Sequence, residues 1–374
     1  MKRRKSLATL AIGAATAAAT AACGSSNGPA VQANSLPNVR WKMATSWPKS
    51  LDTIYGGAET LCDRVSQMSG GRFQIEPYPA GGIVGGLEVL DAVQSSTVQC
   101  GHTASYFYIG KNSALAFGTS MPFGLNAQQQ NAWLYSGGGL EAMHKIYTDF
   151  GIISFPAGNT GAQMGGWYKR EVKSLADLKG LKMRIPGLGG KVMDKLGVNV
   201  QVLPGSEIFL ALERGAIDAA EWTGPYDDEK LGLNNAAEFY YYPGWWEPGA
   251  TLEVQVNLRS WNKLPKEYQE IFKTAAFEAN ASMLARYEAL NGPALKKLID
   301  QGKTKLRSYS PEILQAAYKV SFELFEEDAN KNDAFKEVYE QWKKFREQVY
   351  LWSDTNEFSF AQFAYSQLPQ NLRS

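Results

Sequence analysis

Two glutamates stand beside tryptophans, Glu221 in Ala220-Glu221-Trp222-Thr223-Gly224-Pro225 and Glu247 in Trp245-Trp246-Glu247-Pro248-Gly249. Glu221 ends the short apolar run Ile217-Asp218-Ala219-Ala220, which places a carboxylate at a strand end next to an indole. Such a pair supports general acid and base work on a glycoside or oxygen ligation of a hard cation. It is also compatible with two heads that simply reach solvent. Arg184 lies in Lys182-Met183-Arg184-Ile185 between apolar neighbours, and an arginine inside such a strand needs an anionic partner. That partner is either an internal carboxylate or the carboxylate of a ligand held by the guanidinium fork.

Other motifs are weaker. Gly187-Leu188-Gly189-Gly190-Lys191-Val192 nearly spells a dinucleotide fingerprint, but Val192 replaces the third glycine, so the segment reads as a turn. His102 opens His102-Thr103-Ala104-Ser105-Tyr106-Phe107-Tyr108, which carries no nucleophile elbow around Ser105, and reads as a hydrogen-bonded, half-buried side chain at a strand end. Tyr106, Phe107 and Tyr108 fall at the carboxyl end of that strand, where α/β sheets bind ligands. Asp227-Asp228-Glu229 reads as a solvated helix start.

The elements that must position these residues alternate. Strand 39–44, helix 53–69, strand 72–78, helix 87–95 and strand 98–102 form one α/β series by their periods. Strands 152–155, 163–168 and 182–185 with helices 189–196 and 206–215 form a second. From Pro265 to Phe345 the pattern is almost wholly helical, rich in Ala, Glu, Lys and Leu. Of the 374 residues 44% are hydrophobic and 20% charged, enough for a real core in about two domains. Lys and Arg number 38 against 37 Asp and Glu, so nothing marks the chain as a nucleic-acid binder. Two histidines in all make imidazole catalysis and zinc clusters poor explanations.

Met1-Lys2-Arg3-Arg4-Lys5 followed by the Ala-rich run to Ala22 reads as an export signal over residues 1–22. Thr20-Ala21-Ala22-Cys23 is similar to a bacterial lipobox, which would acylate Cys23, although plain cleavage and either the Sec or the twin-arginine route stay open. Residues 23–37 read as a flexible tether. Cys62 and Cys100 then remain, as a disulfide or as two buried thiols.

Read together, six segments resemble the extracytoplasmic solute receptors of tripartite ATP-independent periplasmic (TRAP) transporters, in the branch that takes 2-oxoacids or lactate with a metal ion. They are 43–48, 101–107, 158–167, 182–185, 220–225 and 241–247, and their order spans nearly the whole exported body. The resemblance implies a bilobed, type II periplasmic-binding-protein-like α/β fold with a long crossing helix and a helical C-terminal extension. It implies lobe I at 38–160 with part of 255–330, lobe II at 161–254, hinge-crossing helices at 255–330 and the extension at 331–374. Arg184 matches the arginine that pairs with the ligand carboxylate. Gln163, Glu221 and Glu247, with the Trp222 carbonyl, match the metal surroundings, while Asn159 and Ser105-Tyr106-Phe107 match ligand-facing positions. Phe107 supplies no hydroxyl.

Two glutamates, one arginine and one monocarboxylate sum to −2, and a closed cleft cannot bury that unpaired. A calcium ion would cancel the sum and sodium would leave −1. A 2-oxo or 2-hydroxy acid can chelate such an ion in a five-membered ring, whereas a longer diacid would need a second cation. The resemblance implies a periplasmic protein whose partners are the TRAP membrane permease subunits. The rival is an exported hydrolase using Glu221 and Glu247. Finally, Phe335, Val338, Trp342, Phe345 and Val349 form one apolar stripe, followed by an aromatic tail through Tyr365. The stripe must be buried, either folded back on its own lobe or, as the resemblance implies through members that exchange their C-terminal helices, against the partner in a homodimer.

Overall fold

The computed structural model describes residues 36–369; the export signal, Cys23 and most of the tether lie outside them. In chain order the strands are β1 (Val39–Thr45), β2 (Phe73–Tyr78), β3 (Cys100–Thr103), β4 (Ile152–Asn159), β5 (Trp167–Tyr168), β6 (Lys182–Arg184), β7 (Asn199–Gln201), β8 (Ala219–Ala220), β9 (Phe239–Tyr242), β10 (Thr251–Asn257) and β11 (Lys305–Ser308). They form two sheets, ordered β2-β1-β3-β10-β4 and β11-β9-β5-β8-β6-β7. The chain passes to the second sheet after β4, returns with β10, and leaves again through the long helix Lys266–Asp300 to β11.

In the first sheet β1 runs parallel to both neighbours, while β10 pairs antiparallel with β3 and β4. All seven residues of β10 are buried, so it reads as a central strand of mixed composition. In the second sheet Arg184 of β6 stands opposite Ala220 of β8, and β5 crosses β8 antiparallel. The long helix buries Tyr268, Phe272, Ala276, Ala279, Met283 and Tyr287, a run at i+3 and i+4 spacing that forms one apolar stripe. It packs on β4 and the helix Ile54–Met68 from one lobe and on the helix Pro225–Lys230 from the other. A Cβ on Gly158 would lie 2.5 Å from the Met283 methyl, so the helix rests directly on the end of β4.

Some expectations change. The expected strand 163–168 is only Trp167–Tyr168, because Gly161, at φ 71°, and Gly166, at φ 86°, turn the preceding residues into a loop. The helical stretch is broken by β11, a tertiary pairing with β9 that helical periodicity does not register. Cys62 and Cys100 are free buried thiols. Among the described residues no helix is long and apolar enough to cross a membrane.

The helix Asp333–Ser353 is capped by Asn332, whose side chain accepts from the amides of Ala334 and Phe335. Its stripe is covered by its own chain: Phe335 and Trp342 are buried, with ring centroids 4.9 and 5.9 Å from Phe117. Only the continuation is bare, with Trp352, Phe358, Phe360, Phe363 and Tyr365 all exposed.

Candidate functional site

Arg184 is 1% exposed at the end of β6. Its Nε donates to the Leu203 carbonyl at 3.0 Å, and its Nη1 donates to the Glu221 carbonyl at 2.9 Å and to the Glu221 carboxylate. The guanidinium lies over the Trp222 ring, 5.2 Å from its centroid. Nη2 is buried without a hydrogen-bond partner. A buried charged donor left unmade costs about 1–3 kcal/mol or more, so this atom is poised for an acceptor that the described residues do not supply.

Opposite it lie oxygens in the same condition. Glu221 and Glu247 are buried, and Oε2 of each has no partner, nor has Oε1 of the buried Gln163. Backbone pairing holds the three together. The Gln163 amide donates to the Glu247 carbonyl at 3.1 Å, the Gly244 amide donates to the Gln163 carbonyl at 2.9 Å, and the Met164 amide donates to the Thr223 carbonyl at 2.9 Å. Gly166 lets this loop close on Glu221, because a Cβ there would meet the Ala220 carbonyl oxygen at 2.7 Å.

Burial pushes the Glu221 carboxyl up to about 7 against the pull of Arg184, and pushes Glu247 well above the usual carboxylate range, with the Glu221 charge adding to it. A negatively crowded, dehydrated site of this kind is relieved by a cation. Three unpartnered oxygens from two carboxylates and an amide are hard donors that suit calcium or sodium. Among the described residues no group of three or more His, Cys, Asp or Glu is placed to hold a metal ion, so a cation here would also need the Gln163 amide oxygen or a backbone carbonyl.

The cavity beside these groups is lined by Trp47, Ile54, Tyr106, Phe107, Thr160, Gln163, Trp222, Thr223 and Leu252. At about 10 Å³ it is nearly closed, so a ligand is admitted only as its walls part. Three expected residues sit differently. Asn159 is buried and fully engaged: its Nδ2 donates to the Gly249 carbonyl and Thr251 hydroxyl, and its Oδ1 accepts from Gly161. It shapes the loop that carries Gln163. Ser105 bonds Thr119 at 2.9 Å and does not line the cavity. His102 is fully buried, not half-buried: its Nδ1 accepts from Trp47 Nε1 at 2.7 Å, and its Nε2 lies 3.1 Å from the Ala157 carbonyl. Burial holds it near 4, so it is a neutral brace for Trp47.

Sequence reasoning missed Trp47, Thr160 and Thr223 as wall residues. Trp47 and Thr223 stood inside motifs noted for other reasons, and the unpartnered Thr223 hydroxyl has no sequence signal. It also misread the acidic helix start. Asp228 is buried, accepting from Trp167, Tyr240 and the Thr223 amide, and Asp227 accepts from Thr53 and from Tyr287 at 2.6 Å.

A two-sheet fold with a spanning helix and a small cavity beside a buried cluster of charges is the arrangement of a ligand-capturing receptor. Residues 43–332 match the DctP family, bacterial extracellular solute-binding protein, family 7. The chain belongs to this family, whose members serve TRAP transporters in the periplasm. It is 67% identical to a monocarboxylate 2-oxoacid-binding periplasmic protein of Nostoc sp., over 98% of this chain and all of that one. It superposes with a TM-score of 0.87 on a TRAP solute-binding protein of Bordetella bronchiseptica, at 49% identity, covering 88% of this chain and 98% of that one. That structure is a mixed-occupancy dimer with copurified calcium and picolinate in one site. A TRAP receptor of Pseudoalteromonas atlantica, with bound sodium and pyruvate, aligns at 0.85 and 37% identity over 87% of this chain and 99% of that one.

Proposed function

We propose that this chain captures a small 2-oxo or 2-hydroxy monocarboxylate of the pyruvate or lactate type together with calcium or sodium. It then hands the acid unchanged to its membrane permease subunits. The observation that carries this reading is the convergence of Arg184 Nη2 with the unpartnered oxygens of Glu221, Glu247 and Gln163. Gln163, Glu221, Glu247 and the Trp222 carbonyl would hold the cation, which cancels buried negative charge. Arg184 would take the ligand carboxylate, with Tyr106, Phe107 and Trp222 around it and Asn159 and Ser105 supporting the walls from behind. The hydrolase alternative is disfavoured because Glu221 is tied to Arg184 in a buried ion pair. The relatives that bind pyruvate, picolinate and 2-oxoacids support the substrate class.

Strand membership supports a division into lobes near residue 160, but β10 (Thr251–Asn257) is already in the first sheet, so the second lobe ends before Thr251 rather than at 254, and β11 (Lys305–Ser308) returns to the second. Cys23 we take as the site of lipid attachment, and the exposed tail as part of a homodimer contact. Denaturing the purified mature protein and weighing the released small molecules tests the function directly. A bound 2-oxo or 2-hydroxy acid is the expected result; turnover of an added acid or oligosaccharide would overturn it.

A further inference from the structure

Resting on this reading, a second cavity bears on how long an acid the receptor accepts. It lies at the seam between the lobes, with a volume of about 270 Å³, and its wall is mostly apolar, Ile109, Ile185, Pro186, Val200 and Val202 beside Lys191 and Asp194. Tyr106 and Phe107 line it as well as the ligand cavity, so these two rings stand between the spaces. Their freedom differs. Tyr106 is buried and pressed against Gly187, where even a Cβ would approach its ring to 3.2 Å. Phe107 is only partly buried, bears no hydrogen-bonding group, and touches Trp47 and Tyr106 through tilted and edge contacts at 6.1 and 4.8 Å.

The polar groups fix which end of a ligand faces this partition. With the acid head drawn to Arg184 and the oxygens of Glu221, Glu247 and Gln163, the carbon tail is left to the apolar wall, of which Phe107 is part. We propose that Phe107 is a specificity-determining gate on tail length, and that the cavity behind it is an accessory subsite for the alkyl tail of longer 2-oxoacids.

Calorimetry in calcium buffer with pyruvate and 2-oxooctanoate tests this on the wild type, Phe107→Ala, Phe107→Trp, Val202→Asp and the double variant Phe107→Ala with Val202→Asp. Val202 lines only the second cavity and is exposed, so the fold should tolerate the change. Phe107→Ala should shift the ratio of affinities tenfold or more toward 2-oxooctanoate, and Phe107→Trp should shift it the other way. Val202→Asp should abolish the gain in the double variant. Pyruvate binding by the single Val202→Asp variant should stay at the wild-type level. An unchanged ratio in both Phe107 variants overturns the gate, and a gain that survives Val202→Asp overturns the subsite. If the wild type binds neither acid, the underlying reading of the substrate class fails, and the gate with it.

Discussion

Arg184 and Glu221 form a buried ion pair in which each side chain keeps one atom unmade, Nη2 on the arginine and Oε2 on the glutamate. An ion pair built only for stability would use both, since the desolvation of each group is offset by every contact it can form. Here the pair leaves one atom of each charge unpartnered, next in sequence or contact to the cavity residue Trp222. On the proposed function, one half would recruit an anion and the other a cation, which is what a carboxylate chelated to a metal would present.

Replacing Arg184 by Ala should remove detectable ligand binding, a loss of about 2–5 kcal/mol or more, because the closed cleft would hold an unpaired carboxylate. Lys should restore only part of it, having no planar fork. Since Arg184 also balances Glu221, the Ala variant should melt earlier in chelator, and calcium should recover part of the difference. Calorimetry read beside thermal melts checks both points; full affinity in Arg184→Ala would make the arginine a purely internal partner.

Glu221→Gln and Glu247→Gln address the cation. Each keeps the shape of the side chain and removes the charge, so acid binding should become insensitive to added calcium or sodium and weaker than in the metal-loaded wild type. Exhaustive dialysis against chelator followed by titration of either ion, read by tryptophan fluorescence, gives the comparison. Wild-type binding that is equal with and without metal would dismiss the bridge.

The buried carboxyls predict opposite pH behaviour for the metal-free and metal-bound forms. Glu221, Asp228 and Glu253 are pushed up to about 7 and Asp227 to about 6, in each case chiefly by burial. Between their ordinary values and these, the folded chain binds more protons than the unfolded one, so metal-free stability should fall as pH rises toward 7. His102, held near 4, and His144, also lowered by burial, work the other way below about 6.5, but as two groups against five once Glu247 is counted. Calcium must displace protons from Glu221 and Glu247, so its affinity should weaken as pH drops below about 7, with measurable proton release. Melting curves in chelator and in calcium across pH 5 to 8 should therefore diverge as pH rises.

Closure has its own contacts. Thr53, at the start of the helix Ile54–Met68, donates to Asp227 of the opposite lobe, while Tyr287 of the long helix donates to the same carboxyl. Asp52 alongside pairs with Lys230 and Arg286. Thr53→Val should remove one of the two bonds to a buried carboxyl, at about 0.5–1.5 kcal/mol, and raise the ligand off-rate roughly two- to tenfold. Stopped-flow fluorescence reads that rate; an unchanged value would place the contact outside the closing motion.

How far the sequence reached follows from what periodicity and residue type encode. Arg184 between apolar neighbours was legible, because a buried guanidinium needs a partner wherever it lies. The glutamates were legible through their indole neighbours, but not their pairing, which depends on the register of β6 against β8. Asn159 and Ser105 point into the scaffold, a matter of side-chain direction that spacing cannot give. Asp227 and Asp228 looked solvated because acidic helix starts usually are; only the approach of Thr53, Tyr240 and Tyr287 from distant segments buries them. The short β11 is defined by pairing alone.

Assembly is where sequence and structure together sharpen the experiment. The stripe from Phe335 to Trp342 is buried on the chain's own residues near Phe117, and Tyr350 donates to the Phe123 carbonyl at 3.1 Å, so cutting at Asn332 would open the core. The unpaired surface begins later. Trp352, Phe358, Phe360 and Phe363 are 58–72% exposed on the C-terminal helical run, more bare aromatic area than a soluble monomer usually shows. A second copy is the occupant that a symmetric contact would supply. Light scattering of the mature protein at micromolar concentration should give about twice the monomer mass. Deletion from Ser359 onward, or Phe360→Ser with Phe363→Ser, should give a monomer that still binds its acid. A monomer before either change would leave the aromatic tail for another partner and end the case for self-association.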